Sequence, residues 1–174
     1  HFYCQREVEL NQRLCPDAYL GVVPITRYRG DIMLGGGGRV IEYAVKMRYL
    51  PQDRMMNVLL VKNQVSGDMV ARVAQKLAVF HQQAATNASI NTFGEVDAIS
   101  LNTEENFSQT IKYIGNTLSQ ANYRHIKDYT NSFIENNAPL FRQRIADSKI
   151  RDCHGDLHAA HICFTDGICI YDCI

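Results

Sequence analysis

The sequence predicts an α+β fold with its strands and helices segregated along the chain, and three observations carry that prediction. Residues 19–26 and 40–47 read as strands, the second with strict apolar and polar alternation at its centre. From Pro51 to about residue 147 the apolar residues recur at helical spacing. Residues 150–174 then return to short apolar runs around Thr165-Asp166-Gly167 and carry a dense set of His, Cys and Asp.

Taken in order, residues 2–14 form a helix, with Phe2, Leu10 and Leu14 at helical intervals and Pro16 as its stop. Tyr19 to Thr26 is a strand in which Pro24 favours a sheet edge or a bulge. Val40 to Met47 is its antiparallel partner, reached through Arg27 to Arg39, where Gly30 and Gly35-Gly36-Gly37-Gly38 suit a long hairpin connection. Asp53 to Lys62 is a short helix. A longer one begins near Ser66 or Asp68 and turns Val70, Val73, Ala74, Leu77 and Phe80 inward. Further helices cover about 101–115, 119–136 and 138–147, with Ala138-Pro139 as a helix start. Ile150 to Cys153 is extended and His154 to Ala160 is a loop; Ile162 to Phe164 and Ile168 to Tyr171 make the closing hairpin.

Composition excludes several classes. The 174 residues are 46% hydrophobic, enough for a buried core, and 18 basic side chains balance 18 acidic ones. Zero net charge gives no electrostatic basis for a nucleic-acid or anionic-membrane partner. Apolar runs such as Val58 to Val61 are far too short to span a bilayer, and no secretory signal opens the chain. The six cysteines include no CxxC pair and four alternate with apolar residues near the end, so they read as buried, reduced thiols of a cytoplasmic protein.

Two constellations compete for the chemistry. The four glycines could cradle a phosphate, but a P-loop needs Gly-Lys-Ser/Thr and a following helix, whereas Arg39 leads into a strand; a flexible turn is expected. Cys153 to Cys163 packs three His, one Asp and two Cys into eleven residues, yet Gly155 breaks the helix face a zinc motif would use. The better reading makes Asp156 and Asp172 the principals, brought to one cleft by the hairpin, with His161 as a third donor. Such a set can hold a divalent cation and orient a hydroxyl, which phosphoryl transfer requires.

His154-Gly155-Asp156-Leu157-His158-Ala159-Ala160-His161-Ile162, followed by Ile168-Cys169-Ile170-Tyr171-Asp172, resembles the H-G-D-x-H-x-x-N-[IV] … [IV]-D signature of the aminoglycoside phosphotransferase family, which has the protein-kinase-like fold. Arg6 to Asn11, Tyr19 to Ile25, Tyr43 to Arg48 and Ile150 to His158 resemble a bacterial branch of that family, some members of which are fused to a P-loop ATPase domain. The resemblance covers nearly the whole chain. It implies that Asp156 positions and deprotonates the acceptor hydroxyl, that Asp172 binds the metal, and that His154 and Gly155 shape the catalytic loop. His161 stands where the wider family has a metal-binding Asn, a candidate second ligand although imidazole suits Mg²⁺ less than an amide oxygen does.

By the same resemblance the helix at 2–14 is the one whose Glu, here Glu7 or else Glu9, pairs with a phosphate-clamping Lys. Met47, Arg48 and Tyr49 would face the adenine of ATP or GTP, with Mg²⁺ as the metal. Lys46 mimics the Val-Ala-Ile-Lys strand, but it follows the Glu-bearing helix instead of preceding it, so an ordinary strand lysine is expected. Residues 1–50 would then be the remainder of the small nucleotide-binding lobe and hinge, and residues 51–174 the first part of the large catalytic lobe. The expected whole is a phosphotransferase acting on a small-molecule hydroxyl, with this stretch inactive by itself and a fused P-loop ATPase domain a candidate partner. The alternative is a non-catalytic nucleotide-binding or regulatory module.

Overall fold

The first helix, α1 (Phe2–Gln12), stops two residues before its expected end. Leu14 and Cys15 both turn their N–H groups back onto the Asn11 carbonyl, and the N–H-less Pro16 follows. A computed structural model describing residues 1–174 divides the chain into two compact units, residues 1–83 with 153–174 and residues 84–152.

In the first unit, β1 (Tyr19–Tyr28), β2 (Asp31–Leu34) and β3 (Arg39–Met47) form an antiparallel sheet in the order β2-β1-β3. The segment expected to be only a connection thus supplies a strand. Asp31 to Leu34 is exposed throughout, so no burial alternation marks it in the sequence. Arg29 and Gly30, both at positive φ, make the tight turn into it. Pro24 lies in the central strand and not at an edge, but next to the register shift at Ile25/Thr26 that supplies the expected bulge, and it pairs in register only with Tyr43 because β2 ends opposite Ile25. A side chain at Gly38 would run into the Arg27 carbonyl, which accounts for one of the four glycines.

After a 3₁₀ turn at Gln52–Arg54 come α2 (Met56–Val61) and α3 (Gly67–Gln83). Ser66 caps α3 by accepting from the Met69 N–H at 3.2 Å. Val73, Leu77 and Phe80 form its inner stripe, while Val70 and Ala74, expected there, are exposed.

The closing hairpin, β4 (Ile162–Phe164) and β5 (Ile168–Ile170), is buried on both faces. Cys163 and Cys169 join Val8, Ala18, Tyr19 and Met55 on one side. Ile162 and Ile170 join Leu14, Val73 and Phe80 on the other, each buried Ile contributing about 1.5–3 kcal/mol. Because α1, α2, α3 and the sheet all pack around this hairpin, the compact units do not part at residue 50, where the sequence suggested a lobe boundary. The same packing corrects the reading of six free thiols. The turn after α1 lies on β5, and Cys15 is disulfide-bonded to Cys169 with their Cα atoms 4.7 Å apart. Cys4 and Cys163 are free thiols.

The second unit holds α4 (Ala88–Asn91), α5 (Val96–Thr110), α6 (Gln120–Asn136) and α7 (Ala138–Ala146). α4 is too short to leave a periodic signal. α5 begins five residues earlier than expected, after Glu95, whose side chain forms no capping bond and so gave no start signal. Ser119 caps α6, and Pro139 sits in the first turn of α7. No helix of the protein is long and apolar enough to cross a membrane.

Candidate functional site

The loop before β4 is held in place by one buried imidazole. His154 is 2% exposed, and its Nε2 lies 2.9 Å from the Tyr171 carbonyl, which can only accept, so Nε2 carries the proton. Nδ1 is then free to accept from the Asp156 N–H at 3.3 Å. The His154 carbonyl takes the Ile174 N–H at 3.0 Å. His154 therefore ties the Asp156 loop to the backbone on both sides of Asp172. Burial is the main reason its pKa falls below 6.5, with the Tyr171 contact and the Asp156 and Asp172 carboxylates opposing. Gly155 lets the loop turn here at φ +89°, where a Cβ would lie 2.6 Å from Ile174 Cγ1.

Asp172 follows β5 and also has positive φ, at 66°, so it leaves the strand sharply with its side chain 61% exposed. Two residues that sequence reasoning missed support it. Asn11, wholly buried on α1, donates to the Glu7 carbonyl at 2.9 Å and accepts from the Cys173 N–H at 2.8 Å. Tyr19 is buried, with its hydroxyl close to Asp172. Its pKa is pushed up to about 12, first by burial and further by the Glu7 and Asp172 carboxylates, against the lowering effect of the Asp172 backbone. Only a polar residue inside the apolar stripe of α1, at Asn11, hinted at this in the sequence.

His161 is where the two aspartates meet. It ends a 3₁₀ turn, Ala159–His161, which His158 opens by accepting the Ala160 N–H on its Nδ1. The His161 side chain is 12% exposed, and Tyr171 closes over the turn by donating its hydroxyl hydrogen to the Ala160 carbonyl at 3.0 Å. His161 Nδ1 lies 2.8 Å from the Asp156 carbonyl and must be the donor. Its Nε2 faces Asp172 Oδ2 at 3.2 Å. The Asp156 carboxylate is 60% exposed and stands 3.9 Å from His158 Nε2. Asp156, His158 and His161 offer ligand atoms all within 4.8 Å of one another. For a divalent cation His161 and Asp172 offer one imidazole nitrogen and one carboxylate oxygen, whereas His158 fits poorly because its Nδ1 is spent on Ala160.

The other sequence-derived positions are arranged as follows. Glu7 is exposed on α1, one residue before buried Val8. Met47 packs in the same apolar cluster as Tyr171, the Arg48 N–H is committed to the Ala18 carbonyl at 2.8 Å, and Tyr49 is largely exposed. Lys46 is exposed in β3 and pairs in register with Gly21. The four glycines lead into β3, not into a helix, which removes the P-loop reading.

The fold and site thus define an α+β chain with two exposed aspartates joined through one histidine. Its curated relatives are uncharacterized proteins of Mycobacterium bovis and of two strains of Mycobacterium tuberculosis. Each is 32% identical over 172 residues, covering 98% of this chain and 33% of the relative. The chain therefore spans about a third of the length of the curated relatives it matches. No protein-family model matches the sequence, and no solved structure does.

Proposed function

We propose that this chain is the central part of a protein-kinase-like domain resembling the aminoglycoside phosphotransferases, one that moves the terminal phosphate of ATP or GTP to a hydroxyl of a small molecule. The observation that carries the reading is the His161 bridge, from the Asp156 main-chain carbonyl at 2.8 Å to Asp172 Oδ2 at 3.2 Å, which ties the Asp156 loop to the Asp172 carboxylate. Asp156, exposed and set on a loop pinned by His154, accepts the proton of the acceptor hydroxyl. Asp172 and His161 hold a divalent cation, which when bound offsets charge on the nucleotide phosphates. Glu7 belongs to the nucleotide lobe, and Met47 to Tyr49 to the hinge beside the base.

The resemblance makes a P-loop ATPase a candidate neighbouring domain in the longer protein. The reading also implies a cytoplasmic setting, where nucleoside triphosphates are found; the Cys15–Cys169 bond argues against that compartment.

The replacement of the family's Asn by His161 favours the second reading, a module that binds nucleotide without transferring phosphate. Cation-dependent nucleotide binding and phosphate release, measured together on the full-length protein, separate the two. The proposal expects both activities; binding without release, under any acceptor class offered, supports the regulatory module. Absence of nucleotide binding overturns both.

A further inference from the structure

We infer that a cavity beside the turn of the closing hairpin is a binding site for a small amphiphilic anion, a molecule with one carboxylate or sulfonate head on an apolar body. The cavity measures about 470 Å³, the size of a site for a small organic molecule, and lies wholly within the first unit. Its walls are the turn after α1, the chain leaving β3, Lys76 of α3, and the β4–β5 turn with the start of β5. The Cys15–Cys169 bond joins the first of these walls to the last, so the cavity is formed before a ligand arrives. Neither Asp156, His161 nor Asp172 lines it, which makes it a second site.

Its chemistry is set by Lys76. A lysine on a helix usually extends its ammonium to water, but Lys76 is half-buried and donates to the Ile168 carbonyl at 2.7 Å. An ammonium has three donors, so two remain for a ligand. Burial lowers its pKa, and the Asp17 carboxylate opposes that through space without closing to an ion pair. Arg48 and Arg54, both exposed, line the same cavity and are not ion-paired either. An anionic head gives these cations a charge-assisted partner that the fold itself does not supply. Leu50, Pro51 and Ile168 add half-buried apolar surface for the body of the ligand. Asp17 and Asp166 also line the cavity and repel further negative charge, which selects a single anionic head over a polyanion such as a nucleotide.

The inference goes beyond the phosphotransferase reading, and its test needs neither nucleotide nor turnover. The probe is anilinonaphthalenesulfonate, an apolar fluorophore with one sulfonate, titrated into the full-length protein. Wild type is expected to bind it saturably. In Lys76→Met, close in length but uncharged, affinity should fall about 10–100-fold, the worth of one hydrogen bond to a charged group. Arg54→Met, at an exposed position where folding is not at stake, should lower it about two- to fivefold. Arg72→Met removes the same charge from α3 outside this cavity and should leave affinity within about twofold of wild type. Octanoate, a carboxylate on an apolar chain, should displace the dye, whereas acetate at the same concentration should not. Circular dichroism confirms the fold of each variant. Absence of saturable binding, binding that survives both Lys76→Met and Arg54→Met, or an equal loss in Arg72→Met overturns the inference, and so does displacement by acetate as effective as that by octanoate.

Discussion

His154→Ala should release the Asp156 loop without dismantling the rest of the protein. The substitution removes the 2.9 Å bond to the Tyr171 carbonyl and the weaker 3.3 Å acceptance from the Asp156 N–H. A made hydrogen bond contributes about 0.5–1.5 kcal/mol, and stranding a buried partner costs about 1–3 kcal/mol. The imidazole also leaves a hole at a position only 2% exposed. Together these give about 3 kcal/mol of local destabilisation, or roughly a 100-fold loss of protection against amide exchange at 1.4 kcal/mol per decade. Native-state hydrogen exchange read by mass spectrometry is the assay. Peptides covering 153–174 should exchange faster by that factor, and peptides from α6 should not change. Exchange in 153–174 within about threefold of wild type would refute the reasoning, because a pin worth that little cannot hold the loop.

Asn11→Leu, similar in size, should cost about 2–3 kcal/mol by stranding the buried Cys173 N–H, read as faster exchange at the end of β5; an unchanged rate would remove Asn11 as the support of Asp172. Peptide mapping without reductant should recover Cys15 joined to Cys169, and reduction should lower stability by up to about 5 kcal/mol for a loop this long; six free thiols in the native protein would contradict the bond. Acid should loosen the same loop. His154 has its pKa lowered in the fold, so the unfolded chain binds its proton more readily; this stability is full above pH 6.5 and is lost as pH falls below it. Exchange in 153–174 measured at pH 7.5 and 5.5, corrected for intrinsic rates, should show that loss, and no pH dependence would contradict it.

The hairpin and its two aspartates were legible because their information is local. A turn at Thr165-Asp166-Gly167 flanked by apolar residues can hardly be anything else, and His154, Asp156 and His161 lie within one short loop. What supports them was not legible, because it is long-range. Asn11 and Tyr19 act on Asp172 across more than 150 residues, and in the sequence they are one polar residue of a helix and one aromatic residue of a strand. β2 escaped notice because an exposed strand has no alternation to detect, and α5 was displaced because its start has no capping side chain. The disulfide was missed for the same long-range reason: Cys15 and Cys169 meet only once the turn after α1 has packed on β5.

The most direct test of the central claim is turnover of Asp156→Ala in the full-length protein, with nucleotide affinity measured alongside. If Asp156 takes the proton of the acceptor hydroxyl, kcat should fall by roughly 10²–10⁴ while nucleotide affinity stays close to wild type. Unchanged turnover would contradict the account.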